Sequence, residues 1–431
     1  MPARRSNMAD LVQRQARVGQ STVTFIPEPE PDELFCPIVS VDDHVLEPPT
    51  TFEGRLAAKH TASGPRVELD ADGVPWWLVE DTRMPILFAN GAAGRVLEEW
   101  KGAARCRYEE LRPSVSNAEA RLLDMDVAGI WASLCFGSTL WGFAGSRFSR
   151  LKDPALGLAS LRAYNDWMID DWCATDRRRF IPCQLPWLAD PEVAAEEIRR
   201  NAARGFRAVS FSENPEGLGF LSIYGGAWDV FFRACTETGT VVNLHVGSSG
   251  RTANPSSASP PEVIAALFPL SGMETVVDWI YAKVPVRHPD LSIVLSEAGM
   301  SWVPMVTERL RRAHRHVPAS EVWDRDDPHP VDLLHRNFYF TSLEDPSGFA
   351  MLDRIGEDHV MVETDFPHMD STWPGCQSMI RAELTDLSRA TIAKVCFENA
   401  CRLYRHPLPP PALVATATMG ATTIDGGSCD D

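Results

Sequence analysis

Short apolar runs alternate with longer stretches of helical period along most of this 431-residue chain. Eight runs have strand character: 37–41, 129–135, 180–184, 207–211, 240–244, 291–295, 338–341 and 359–362. Helical patterns fall between most of them. One is bounded unusually clearly, with Asp190 as N-cap, Pro191 in the first turn and Gly205 at its end. Two more cover 224–239 and 302–316. Strand followed by helix, repeated, predicts βα units around a parallel sheet, and eight repeats over about 330 residues predict a closed (β/α)8 TIM-type barrel. The spacing is uneven only after the first strand, where about 90 residues intervene, far more than one crossover needs. Within that gap, 66–79 reads as a β-hairpin turning at Asp72-Gly73, so an insertion of about 50–115 is expected to roof the barrel mouth. The predicted organisation is an extended, Pro/Glu-rich arm over 1–34, a barrel over 35–406 and a mobile tail over 407–431 that opens Pro-Leu-Pro-Pro-Pro.

Composition narrows the function classes. Hydrophobic residues make up 44% of the chain, enough for a large core, and the formal net charge is −18. That charge argues against nucleic-acid binding and against anionic membrane surfaces. No apolar run reaches the roughly eighteen residues of a membrane span, and the basic N-terminus has no apolar stretch after it. Ten cysteines lie scattered without a CxxC pair, which suits a reducing cytoplasm better than a disulfide scaffold. A small-molecule substrate, or a modified peptide, fits an acidic enzyme of this size, as a monomer or a homodimer.

Candidate chemistry gathers at three strand ends. After the first strand comes Asp42-Asp43-His44, where alternation puts Asp42 and His44 on one face and Asp43 on the other. His245 directly follows the fifth strand and precedes a Gly/Ser loop containing Ser248. Asp365 follows the eighth, two residues past Glu363 and three before His368. First and eighth strands are neighbours in a closed barrel, with the fifth across the mouth. Asp42, His44, His245 and Asp365 therefore predict one divalent metal ion, Zn2+ first, with Mn2+ or Fe2+ as alternatives. Asp365 is expected both to bind the ion and to accept a proton.

The motifs Val41-Asp-Asp-His-Val-Leu-Glu-Pro-Pro, Phe52-Glu-Gly-Arg, Leu123-Asp-Met-Asp-Val-Ala-Gly-Ile, Asn243-Leu-His-Val-Gly-Ser-Ser, Leu295-Ser-Glu-Ala-Gly-Met-Ser-Trp, Glu363-Thr-Asp-Phe-Pro-His and Glu398-Asn-Ala-Cys-Arg-Leu-Tyr, in that order, resemble the amidohydrolase superfamily. The branch resembled includes aminocarboxymuconate-semialdehyde decarboxylase and the benzoate-type non-oxidative decarboxylases. The resemblance implies the same four ligands, although that family more often carries His or Glu where this chain has Asp42. It also implies a single ion, since no lysine stands at the fourth strand end, Ser210-Phe-Ser-Glu213. The decarboxylases carry His-x-Gly-Glu after strand six, whereas this chain has Glu297-Ala-Gly-Met. Glu297 is thus expected either to do acid–base work or to orient a ligand, and His368 and Ser248 to support the ligands or touch substrate.

Losing the strand-six His favours hydrolysis of an amide, lactone or other C–N or C–O bond by metal-activated water, with Asp365 as general base. Non-oxidative decarboxylation of an unsaturated or aromatic acid is the alternative, and a catalytically silent binding barrel the third reading. Trp76, Trp77 and Trp100 of the insertion are expected either to stack on a substrate ring or to belong to the core.

Overall fold

The computed structural model describes residues 23–96, 105–316, 323–324 and 326–420. Strand β1 (Ile38–Val45) is followed by an antiparallel sheet of β2 (Arg66–Leu69), β3 (Pro75–Val79) and β4 (Thr82–Pro85). The predicted hairpin is β2–β3, and β4 was not anticipated. Then come β5 (Ile130–Gly137), β6 (Phe180–Ile181), β7 (Cys183–Gln184), β8 (Ala208–Phe211), β9 (Val241–His245), β10 (Ile293–Ser296), β11 (Phe338–Ser342) and β12 (Val360–Val362), all paired in parallel. They form two pieces, β1-β5-β6 and β7 through β12. β6 and β7 are one extended stretch interrupted at Pro182. β12 meets β1 only past its own end, through Asp365 N–H to the Asp42 carbonyl (2.9 Å) and His44 N–H to the Phe366 carbonyl (2.7 Å). Eight parallel segments in chain order, α/β throughout, are consistent with the expected (β/α)8 barrel.

Local sequence explains these elements. Strands β8, β9, β10 and β12 are buried along their whole length, as parallel strands covered on both faces must be. The helix Pro191–Arg204 starts where the Asp190 side chain accepts from Glu192 and Val193 N–H, and stops at Gly205, whose φ of 111° a side chain would resist. The stretch expected to be helical from 224 is helical only over Asp229–Thr238, because Gly225, with a φ of 76°, breaks the regular backbone first.

The tail, expected to be mobile, is described as far as residue 420: it forms a helix at Pro411–Thr416, buries Met419, and donates Thr418 and Met419 N–H to the Leu34 and Phe35 carbonyls. Its prolines start that helix, and apolar Val414 and Met419 give it something to pack. Trp77 is fully buried against Phe52 and Trp141, a core residue and not a stacking platform, while Trp100 lies outside the described residues. Of the arm, Phe25 bridges Arg95 and Glu28 accepts from Arg112, whereas residues 1–22 lie outside the described residues. Among the described residues no single helix is long and apolar enough to cross a membrane.

Candidate metal centre

The register of the strands brings the predicted side chains together. Asp42 and His44 sit inside β1, which runs four residues further than the sequence suggested. Ser296 pairs with His245, so Glu297 emerges beside it, and Asp365 follows β12. His44 Nε2 lies 3.2 Å from Asp42 Oδ1, 3.1 Å from Asp365 Oδ1 and 3.1 Å from His245 Nε2. His245 Nε2 is also 3.5 Å from Asp42 Oδ2 and 3.5 Å from Glu297 Oε2. Asp42, His44 and His245 offer ligand atoms all within 4.8 Å of one another. His368 stacks on His44 with ring centroids 3.8 Å apart, and Phe143 covers His245 at 3.9 Å.

Three details fit a cation. His245 Nδ1 donates to the Val246 carbonyl at 2.7 Å, and His44 Nδ1 faces the Gly137 carbonyl at 3.5 Å, so both Nε2 atoms turn lone pairs into the centre. Burial lowers the basicity of both rings, His44 to about 4 and His245 well below its ordinary value, which keeps them neutral and able to ligate. Both oxygens of Asp42 and Oδ1 of Asp365 are buried without a hydrogen bond. Buried anionic oxygens left in that state cost several kcal/mol, on the order of a lost charged hydrogen bond or more, and a divalent ion removes the deficit.

The carboxyl groups divide by protonation. Burial, then the charges of Glu363, Asp365 and Glu297, pushes Asp42 upward. Burial, then Asp365 and Asp370, pushes Glu297 well above the usual carboxylate range. Glu363 rises to about 8, chiefly by burial. For Asp365, burial acts upward but is outweighed by His368, 2.9 Å away, and by His44, so it stays ionised. Asp365 and Glu297 both hold left-handed backbone, φ 50° and 58°, which costs a non-glycine residue about 1–3 kcal/mol and is typical of functional turns.

Ser248 does not face this cluster. Its hydroxyl accepts from Glu213 N–H and locks the loops after β8 and β9 together. Sequence reasoning missed that Glu363 caps the Glu297 turn by accepting its N–H, at 3.2 Å. It also missed Asp370, which shares the acidic edge with Glu297 and Asp365, and Phe143, for which the sequence carries no signal.

The family model described as Amidohydrolase matches residues 144–406, well over half the chain. In fold the chain is similar to a crystal structure of an amidohydrolase from Mycobacterium avium subsp. paratuberculosis K-10 (23% identity, TM-score 0.62, 85% of this chain and 99% of that one). It is also similar to 5-carboxyvanillate decarboxylase from Novosphingobium aromaticivorans DSM 12444, solved with manganese and 4-hydroxy-3-methoxy-5-nitrobenzoic acid (21% identity, TM-score 0.53, 68% and 81%). A third is a dihydroxybenzoic acid decarboxylase from Polaromonas sp. JS666, solved with manganese and the inhibitor 2-nitroresorcinol (16% identity, TM-score 0.57, 85% and 96%). With the family match spanning β6 to β12 and with them His245, Glu297 and Asp365, this chain belongs to the amidohydrolase family.

Proposed function

We propose that this chain is a metal-dependent carbon–carbon lyase that removes CO2, without oxidation, from a hydroxylated aromatic or unsaturated acid. The observation that carries the reading is one cluster in which unpaired carboxylate oxygens and two neutral imidazoles converge beside the carboxyl of Glu297. Asp42, His44, His245 and Asp365 are the residues that would hold one ion. When bound, a divalent ion supplies the positive charge that lets a carboxylate and its neighbouring hydroxyl enter a site rimmed by acidic groups. Carboxylate oxygens make up half or more of the donor set, which favours Mn2+ over the Zn2+ expected from sequence, and manganese is the ion in the two decarboxylases named above.

In the reaction the bond between substrate carbon and carboxylate breaks, and its electron pair remains on the carbon. Glu297, whose proton is favoured by burial and its acidic neighbours and which stands 3.5 Å from His245, delivers a proton to that carbon as CO2 leaves, then recovers one from solvent. The order given by sequence, hydrolysis first, is therefore reversed: a carboxylic acid on the His245 side replaces the missing strand-six His as proton donor.

Hydrolysis keeps one specific observation in its favour, the ionised Asp365 paired with His368, which can accept a proton from water and pass it on. The two reactions leave different labels. Mn2+-loaded protein given a panel of hydroxybenzoates in D2O is expected to release CO2 and place one deuterium on the vacated carbon. Turnover of amides or lactones with solvent oxygen incorporated, and no CO2 from any acid, would contradict the proposal.

A further inference from the structure

The barrel is least regular where its centre is most demanding. β12 and β1 share no ladder of their own, yet Asp42 and His44 lie on one side of this seam and Asp365 on the other. Two backbone hydrogen bonds cross it. On the opposite face of β1 from Asp42 and His44 sits Asp43, 1% exposed. One carboxylate oxygen of Asp43 accepts from Thr364 Oγ1 (2.6 Å), Phe366 N–H (3.1 Å) and Ser40 Oγ (3.0 Å). The other accepts from Ser133 Oγ on β5. Arg121, equally buried, donates to the His44 carbonyl at 2.7 Å and lies over the Phe366 ring at 4.5 Å. Asp43 thus grips the residues on both sides of Asp365 and ties three strands at one point.

We infer that Asp43, with Arg121 behind it, is a positioning residue that closes the β1/β12 seam and sets the distance from Asp42 and His44 to Asp365. Among the described residues no other side chain hydrogen-bonds to both flanks of Asp365. The left-handed backbone of Asp365 persists only if its neighbours are fixed, and Asp43 fixes both. The inference rests on the reading that these residues hold a metal ion. Removing a group that orients a ligand typically costs 10- to 100-fold in metal affinity, here without removing any ligand.

The test is a Mn2+ titration of the full chain at fixed pH, followed by the electron paramagnetic resonance signal of free and bound ion. Wild type is expected to bind, and its failure to bind would sink the metal reading itself. Asp43→Ala is expected to raise Kd about 10- to 100-fold and to alter the bound-ion spectrum. Asp43→Asn keeps an acceptor for Thr364, Phe366 and Ser40. Its amide can face Ser133, whose hydroxyl then turns to Cys135 Sγ, 3.3 Å away. It is therefore expected to restore most of the affinity. A residue that only stabilised the fold would lower the melting temperature and leave Kd and spectrum alone. If Asp43→Ala fails to fold, Thr364→Val removes one arm of the grip and should shift Kd in the same direction. Binding wild type in strength by Asp43→Ala, or by Thr364→Val in its place, overturns the inference, as does Asp43→Asn binding no better than Asp43→Ala.

Discussion

Glu297 and Asp365 are both carboxylates at strand ends, but their surroundings give them opposite protonation states. Asp365 has a cationic partner in His368, whereas Glu297 is pushed upward by burial and acidic neighbours, with only the neutral His245 ring beside it. A donor to carbon must hold its proton at working pH, so activity should fall as pH rises through the raised Glu297 value. Glu297→Gln keeps the shape and cannot donate: kcat should drop by about 10²-fold or more while Mn2+ content persists, and the high-pH limb of the profile should vanish. Near-normal kcat in this variant would remove Glu297 from the reaction. That Asp42, His44, His245 and Asp365 come close together was legible in the sequence because polar residues at strand ends leave a positional signature. The part played by Asp43 was not, since alternation says only that it points away, and not that it meets strand eight.

At the scale of elements, the sequence placed all eight parallel strand segments within a few residues, because fully buried parallel strands read as plain apolar runs. It cut β1 short because Asp42-Asp43-His44 looks like a turn. In fact those polar residues continue the strand, the ligands facing the centre and Asp43 its buried grip. The tail helix Pro411–Thr416 was not legible because short proline-led helices lack a long periodic face. The junction of β1 and β5 makes a prediction of its own. Glu47, just past β1, is buried, with its carboxylate accepting from Ser138 N–H (3.1 Å) and Oγ (2.5 Å) after β5. Burial raises it to about 7, from an ordinary 4.5. The folded state therefore binds the extra proton between those values, and stability contributed by this group is full below about 4.5 and is lost as pH rises through about 7. The melting temperature of metal-free protein should fall across that window, and Glu47→Gln should flatten the fall. An unchanged slope would show that Glu47 is charged in the folded protein.

For the molecule as a whole, the parallel strands bring Asp42, His44 and His245 within ligating reach of one another, with Asp365 beside His44. The repulsion among these buried carboxyls and the unpaired oxygens of Asp42 suit a bound cation. The class of fold and four candidate ligands followed from the pattern of the chain. The place of the Glu297 carboxyl, 3.5 Å from His245 Nε2 on a left-handed turn, did not, because no sequence pattern predicts that turn. The most direct test of the account is CO2 release from the hydroxybenzoate panel by protein stripped of metal and then reloaded. The account predicts no release from stripped protein, recovery at about one equivalent of Mn2+, and no recovery in Asp42→Ala or His245→Ala. Full activity in rigorously metal-free protein would contradict it.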